Sequence, residues 1–372
     1  MGGSTVVEEP TRRRSRGRRV VISLAVVVLV ALLAVAGVSW FASGELIDGM
    51  DIKDYASEYP DTVVAASDGE VSLVMAEPPD EDPRSIALAG VALPDGGYLQ
   101  TEPVARSDQG VASREVTQVF GDVPAADSGA RVENRYFPTD PKVGLGLDYT
   151  EVDIETPLGP SPAWFVPGDS DTWAIFSHGR GATRDEGLRM LKTAHEVGLP
   201  TLLITFRDDF VGQPEDGISN FGMTEWPDLE AAVQYALDNG ATDVVLLAAS
   251  TGGATSMAFL ENSDLADAVV GLAFDAPLTS FGQTVDLLAR ERGFPAFIVA
   301  LGKWLGERRV TIDFTETDYV SRVDDLDVPT LIIHGTEDTT NPLEASEQFA
   351  ANAPAGVVRL EEFEGAEHVW NW

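Results

Sequence analysis

The feature that most constrains the fold of this chain is the alternation of apolar runs and helix-length segments over residues 147–372. A hairpin is predicted at 149–166, followed by buried strands at 173–177, 201–206, 244–249, 269–274, 330–333 and 357–360. Helices are predicted between these strands, at 184–197, 225–239, 251–260, 285–305 and 342–353. Strands that alternate with helices form a mostly parallel, doubly wound sheet, so the predicted fold class is α/β.

Polar residues follow each of the predicted parallel strands. They are His178, Arg207–Asp209, Ser250, Asp275, His334–Asp338 and Gly365–His368. In an open α/β sheet, ligands bind at the carboxyl ends of the strands. The sequence therefore predicts that these loops meet at one edge of the sheet and form a single site.

Ser250 lies between a predicted strand and a predicted helix, in the pattern Ala248-x-Ser250-x-Gly252. A sharp strand–turn–helix junction of this kind needs small residues two positions before and after the serine. It lifts the hydroxyl to the N-terminus of a helix, where backbone N–H groups favour developing negative charge. The alternative is an ordinary strand–loop–helix junction in which the serine has no catalytic role. This alternative stays open because small-x-Ser-x-Gly is a common pattern.

The chain order Ser250, Asp338, His368 resembles the α/β-hydrolase superfamily over roughly residues 147–372. The segment His178-Gly-Arg-Gly is similar to the oxyanion loop of that family. Membrane-anchored bacterial hydrolases related to dienelactone hydrolases and serine peptidases show the nearest resemblance. Ala248 replaces the first glycine of the family motif. The family usually has a helix after the histidine, so either the sequence is truncated or that sheet face is covered differently.

The resemblance implies a role for each candidate site residue. Ser250 is expected to be the nucleophile, His368 the general base, and Asp338 the acid that orients the histidine. The backbone N–H groups of Arg180 and Thr251 are expected to form the oxyanion hole. Asp275 is the alternative acid, because in this fold the triad acid sometimes follows the preceding strand.

The other polar residues of these loops have structural interpretations. His178 and His334 are expected to form hydrogen bonds to neighbouring loops, and Asp208 and Asp209 to pair with Arg207 or shape the rim of the site. The long segment 278–320 is either a lid over the acyl pocket or a pair of helices packed on the core.

Metal and nucleic-acid chemistry are disfavoured by the composition. The chain has no cysteine, and its four histidines show no spacing such as His-Glu-x-x-His. No glycine-rich loop of the phosphate-binding type is present either. The formal net charge of −36 would repel nucleic acid. We therefore expect no metal, no cofactor and no nucleic-acid partner.

The N-terminal region predicts a membrane anchor. Residues 1–19 form a basic leader with six arginines, and the uncharged residues 20–44 are long enough to cross a bilayer. Arginines before this span, and Glu45, Asp48 and Asp51 after it, predict a cytoplasmic N-terminus and an extracytoplasmic catalytic domain. The alternative is a cleaved signal peptide, although the apolar run is longer than usual for one.

Residues 45–146 are predicted to form a small β-rich region. Short β-rich runs separated by turn signals lie at 62–66, 70–75, 85–93, 98–105, 111–120 and 131–137. The region contains no histidine and is interpreted as a spacer, a gating module or a packing partner for residues 147–372.

Together these patterns predict a membrane-anchored serine hydrolase. It would cleave an ester, thioester or amide of a small-molecule, peptide or lipid acyl substrate outside the cytoplasm. Two alternatives are a non-catalytic scaffold protein of the cell envelope with the same fold, and an acyltransferase that uses the same triad.

Overall fold

A computed structural model describes residues 13–48, 50, 59–76, 87–108, 110–133, 136–209, 212–213, 215, 217–310 and 312–370. Residues 1–12 of the basic leader, Asp51 and parts of the predicted strands 85–93 and 131–137 lie outside these ranges. The described chain comprises one long N-terminal helix, a six-stranded barrel and an eight-stranded sheet with helices.

The first helix, α1 (Arg13–Asp48), contains the segment Val21–Asp48, which is long and apolar enough to cross a membrane. It extends four residues beyond the predicted end of the membrane segment at Gly44. Met50, just after the helix, is fully buried in the apolar core of the eight-stranded sheet and its helices, and its carbonyl accepts a hydrogen bond of 2.9 Å from the Ser219 N–H. The helix is therefore joined directly to the folded body.

The β-rich region forms a closed antiparallel barrel with strand order β1-β2-β5-β4-β3-β6. Its strands are β1 (Asp61–Ala66), β2 (Glu70–Val74), β3 (Ala89–Ala92), β4 (Tyr98–Asp108), β5 (Val111–Phe120) and β6 (Gly129–Glu133). Alternate side chains such as Val63, Leu73 and Leu99 fill the interior. Each of these six strands therefore pairs with a neighbouring strand on both sides.

The eight-stranded sheet has the order β14-β13-β12-β11-β9-β10-β8-β7. Its strands are β7 (Thr150–Thr156), β8 (Gly159–Val166), β9 (Thr172–Ser177), β10 (Thr201–Leu203), β11 (Asp243–Ala249), β12 (Val269–Asp275), β13 (Thr330–Gly335) and β14 (Val358–Phe363). Strands β9 to β14 pair in parallel, whereas β7 and β8 form an antiparallel hairpin. This is the mostly parallel sheet that the sequence predicts.

Helices cover both faces of the sheet. The helices that follow the barrel are α2 (Pro141–Leu145), α3 (Leu188–Glu196), α4 (Trp226–Asp238), α5 (Thr251–Asn262), α6 (Phe281–Glu291), α7 (Ala296–Gly306) and α8 (Leu343–Asn352). In β11, Leu246 and Ala248 belong to the apolar cluster shared with α4, α5 and α8, whereas Leu247 and Ala249 belong to the cluster shared with α3. The doubly wound arrangement is confirmed.

The single helix predicted at 285–305 is wrong. Two helices, α6 and α7, occupy this region, and Gly293 between them has a φ of 74°. Pro295 then lies in extended conformation immediately before α7. A proline has no N–H to donate and its ring clashes with the preceding turn, so a continuous helix is excluded here.

Candidate active site

Ser250 lies in a strained turn between β11 and α5. Its φ of 51° and ψ of −118° are unusual for a residue with a side chain, and strain of this kind costs on the order of 1–3 kcal/mol. Two backbone hydrogen bonds of 2.9 Å maintain the turn, from the Ser250 N–H to the Asp275 carbonyl and from the Leu278 N–H to the Ser250 carbonyl. The surrounding strands thus force the serine into the geometry of a nucleophile elbow.

Small residues surround this turn. A Cβ on Gly252 would collide with the backbone carbonyl of Ser177, and one on Gly179 would lie 3.1 Å from the Cβ of Ser250. Ala248 is fully buried. The alanine therefore fits where the family motif has glycine, whereas Gly252 has no room for a side chain.

The structure brings Ser250, His368 and Asp338 into one hydrogen-bonded chain. His368 Nε2 lies 2.9 Å from Ser250 Oγ, and His368 Nδ1 lies 2.7 Å from Asp338 Oδ2. With Nδ1–H donating to the carboxylate, Nε2 is left to accept the serine proton. These residues come from the loops after β11, β13 and β14.

Asp338 is held as a carboxylate. Its Oδ1 accepts the backbone N–H groups of Thr340 and Asn341, each at 2.8 Å, and His334 Nε2 lies 3.1 Å from its Oδ2. Burial opposes its charge, but His368 and His334 outweigh burial and keep the pKa of Asp338 well below its usual range. For His368, burial favours the neutral ring, yet the Asp338 carboxylate raises its pKa above the ordinary histidine value.

The alternative acid, Asp275, occupies a different environment. It is fully buried at the end of β12, with its Oδ2 3.5 Å from Arg189 Nη2. Arg189 Nη2 also lies 3.8 Å from Glu186 Oε1, and Arg189 Nη1 donates a hydrogen bond of 2.6 Å to the Val369 carbonyl. Asp275 thus belongs to a buried ionic cluster, whereas Asp338 is the acid in hydrogen-bond contact with His368.

The two predicted oxyanion donors, Arg180 and Thr251, line the same cavity as Ser250 and His368. Thr251 is the first residue of α5, so its N–H has no carbonyl partner within the helix. Next to Arg180, the Gly179 N–H donates a hydrogen bond of 2.8 Å to the Glu186 carboxylate, which helps to fix the loop after β9.

Of the two roles considered for Asp209, pairing with Arg207 is not observed. Arg207 instead binds Asp228, with a distance of 2.8 Å between Arg207 Nη2 and Asp228 Oδ1. The partner of Asp209 is His178, and Asp209 Oδ2 lies 2.7 Å from His178 Nε2. His334 Nδ1 lies 2.8 Å from Ser346 Oγ. His178 thus forms the expected hydrogen bond to a neighbouring loop, whereas His334 bonds to helix α8 instead. The only sequence signal for the His178–Asp209 pair was that both residues follow neighbouring strands.

A cavity of about 530 Å³ contains the candidate site. Helices α6 and α7 and the end of α1 supply much of its apolar wall, through Ala42, Leu46, Val285, Leu288 and Val299. Phe281, at the start of α6, is buried in the core. The segment 278–320 is therefore both packed on the core and placed over the pocket. Over the described residues, no group of three or more His, Asp or Glu side chains has metal-binding geometry.

No protein-family model matches the chain, and no curated protein matches it. Several solved structures resemble it. An esterase from Pyrococcus furiosus is 19% identical, with a TM-score of 0.50 over 62% of this chain and 87% of that one. An esterase from Exiguobacterium antarcticum (20% identity, TM-score 0.43) covers 59% of this chain and 92% of its own. An alpha-beta serine hydrolase homologue from Coxiella burnetii (19% identity, TM-score 0.41) covers 59% of this chain and 89% of its own. With the strand order above, the Pyrococcus likeness confirms that this chain has the α/β-hydrolase fold.

Proposed function

We propose that this protein is a serine hydrolase that cleaves an ester, thioester or amide on the outer side of a membrane. Because this fold hosts many chemistries, the proposal rests on the site itself. The observation that carries it is the hydrogen-bonded chain from Ser250 through His368 to Asp338.

Each residue of the chain has a defined step. Ser250 Oγ attacks the substrate carbonyl carbon while His368 Nε2 takes its proton. His368 then gives that proton to the leaving oxygen, sulfur or nitrogen as its bond to carbon breaks. Water, activated by the same nitrogen, hydrolyses the acyl-enzyme and restores the serine. Asp338 holds the ring tautomer and stabilises the imidazolium in both halves.

The negative oxygen formed in each half-reaction needs hydrogen-bond donors. The N–H groups of Thr251 and Arg180 are proposed for this role, and losing one such donor typically costs about 3–4 kcal/mol of barrier. The positive end of the α5 dipole adds to the same stabilisation.

The proposed orientation follows from charge. Arginines precede the apolar segment of α1 and acidic residues follow it, which favours an N-terminus inside the cell. The barrel and the candidate site both follow α1 in the chain. They would therefore lie on the outer side.

Turnover of a short-chain p-nitrophenyl ester tests the proposal. We expect Ser250→Ala and His368→Ala to lower kcat by at least about 10⁴-fold. His195→Ala, an exposed histidine on α3, is the matched control and should retain full activity. Turnover that persists in both active-site variants, or its absence from the wild type, would contradict the proposal. Adding a competing alcohol and analysing the products separates hydrolysis from acyl transfer, which shares the acyl-enzyme.

A further inference from the structure

We infer that the substrate is an ester of a membrane lipid, whose acyl chain enters the pocket from the bilayer along α1, α6 and α7. This inference rests on the proposed function, because it identifies the acyl group that Ser250 would receive.

The first observation is that the membrane helix is part of the pocket. Ala42 and Leu46 of α1 line the cavity that also contains Ser250 and His368. From Val21 to Ala42, a helical rise of 1.5 Å per residue spans about 31 Å, close to the roughly 30 Å thickness of the hydrocarbon core. The pocket-lining end of α1 would therefore lie at the far surface of the bilayer.

The second observation is the close packing of α7 on α1. A Cβ on Gly302 would be 3.4 Å from the Cβ of Ala42, and one on Gly306 would be 2.7 Å from Leu46 Cδ2. On the other helix, Ser39 and Ser43 are fully buried. Small residues that let two backbones approach are typical of helix pairs in membranes. Helix α7 is thereby fixed beside the end of the apolar span.

The third observation is that these two helices expose large aromatic side chains. The exposed fractions are 58% for Trp40, 58% for Phe41, 61% for Phe297 and 47% for Trp304. Tryptophan is enriched where a membrane meets water. Exposed side chains of this size on the pocket-forming helices fit a surface in contact with lipid.

Arginines accompany both exposed tryptophans. The guanidinium carbon of Arg309 lies 4.2 Å from the ring centre of Trp40, and that of Arg308 lies 3.8 Å from the ring centre of Trp304. Arg309 also donates hydrogen bonds to the Trp40 carbonyl at 3.3 Å and to Ser43 Oγ at 2.5 Å. Guanidinium groups held beside these tryptophans, at the membrane surface, suit the phosphate of a lipid head group. They would also attract that phosphate locally, although the net charge of the whole protein is −36.

The pocket itself suits an acyl chain. Leu46, Val285, Leu288 and Val299 give it an apolar wall, and its volume of about 530 Å³ is within the roughly 300–1,000 Å³ of ordinary ligand sites. A lipid would place its ester carbonyl at Ser250 with its chain along this wall. Its head group would remain at the surface.

The test compares two substrates of the full-length protein reconstituted in vesicles of an ether-linked phosphatidylcholine, which has no carboxylic ester bond that could compete with the probe. One is soluble p-nitrophenyl butyrate, and the other is p-nitrophenyl palmitate embedded in the vesicles. We expect the double variant Phe297→Ser/Trp304→Ser to lower turnover of the palmitate at least about tenfold more than turnover of the butyrate. Val197→Ser, an exposed apolar residue on the α3 side, is the matched control and should leave the ratio unchanged.

A second variant tests the wall. Leu288→Trp should fill the acyl pocket and lower palmitate turnover at least about tenfold more than butyrate turnover. A wild-type protein that cleaves the butyrate but not the palmitate, or variants that leave the ratio unchanged, would overturn the inference while preserving the proposed function. If the aromatic residues instead meet a second copy, the double variant would change the oligomeric state but not the ratio, which also overturns it. Failure to cleave either ester would contradict the proposed function itself.

Discussion

His368 and His178 lie near the same edge of the sheet, but their hydrogen-bond partners require different protonation states. His368 Nε2 faces a serine hydroxyl, and the ring must be neutral to accept that proton. His178 Nδ1 lies 2.9 Å from the Gly179 carbonyl oxygen, and His178 Nε2 lies 2.7 Å from Asp209 Oδ2. Because both partners are hydrogen-bond acceptors, both ring nitrogens carry a proton. Burial opposes this charge, but Asp209 outweighs burial and raises the pKa of His178 to about 9.

The raised pKa of His368 predicts where the acid limb of the pH–rate profile lies, that is, the pH range in which activity is lost on acidification. The neutral ring is the active form, so kcat/KM should fall as pH drops through a value above the ordinary histidine pKa of 6.5. Asp338→Asn removes the charge that favours the imidazolium. It should move this limb to lower pH and lower kcat by about 10⁴-fold.

A pH–rate profile of ester cleavage from pH 5 to 9 measures this effect. Asp264→Asn, which changes an exposed aspartate, is the control and should leave the limb in place. An acid limb that does not move in Asp338→Asn would show that Asp338 does not set the pKa of the base.

The His178–Asp209 pair predicts how stability depends on pH. Folding raises the pKa of His178 from 6.5 to about 9, so its contribution is complete below pH 6.5 and is lost as pH rises through 9. The full difference is on the order of 3 kcal/mol. Urea unfolding at several pH values should show this loss in the wild type and a flatter profile in His178→Gln. The exposed His195→Gln variant should keep the wild-type profile, and an equally steep profile in His178→Gln would refute this reading.

At the scale of elements, the loop that carries His368 is held from two sides. Val369 has a φ of 52°, and its carbonyl accepts the hydrogen bond from Arg189. Trp370 is buried in the apolar cluster of the barrel, with Val63, Leu73 and other core residues. The barrel thus contacts the histidine loop two residues from the proposed base. Of the three roles considered for the β-rich region, this favours a packing partner.

This contact predicts that Trp370 positions His368. Trp370→Ala should lower kcat by about 10–100-fold with little change in KM, because a base displaced by about 1 Å loses its alignment. Trp370→Phe should restore most of the activity. Leu73→Ala is the control, since it also truncates the barrel core at a cost of about 2–5 kcal/mol but lies outside the loop. Equal losses of kcat in Trp370→Ala and Leu73→Ala would indicate general destabilisation instead.

The sequence predicted the elements better than their contacts. Strands such as β11 and β12 are apolar runs of the expected length, and their ends carry Ser250 and Asp275 as expected. Strand β10 is shorter than predicted, ending at Leu203, because pairing with β8 and β9 sets its length. The break between α6 and α7 had a local signal in Pro295. Apolar residues on both sides of it favour one continuous helix at 285–305, although a pair of helices is the other interpretation of 278–320.

At the scale of the whole molecule, the unpredicted features join segments far apart in the chain. Trp370 enters a barrel formed by residues 61–133, and Leu46 of α1 lines a pocket with His368. No local periodicity encodes such contacts, since each side chain has only the pattern of its own element. The meeting of Ser250, Asp338 and His368 was predictable, because it follows from the topology of the sheet and not from contacts between distant elements. Parallel strands bring their carboxyl ends to one edge, which fixes where the polar loops meet.

The most direct test of the central claim is labelling of the full-length protein with a fluorophosphonate, followed by mass spectrometry of its peptides. A serine activated by His368 should carry one phosphonyl adduct, on Ser250. We expect His368→Ala to slow the labelling by at least about 10³-fold, and Ser250→Ala to abolish it. Equal labelling of the Ser250→Ala protein, or an adduct on another residue of the wild type, would contradict the assignment of Ser250 as the nucleophile.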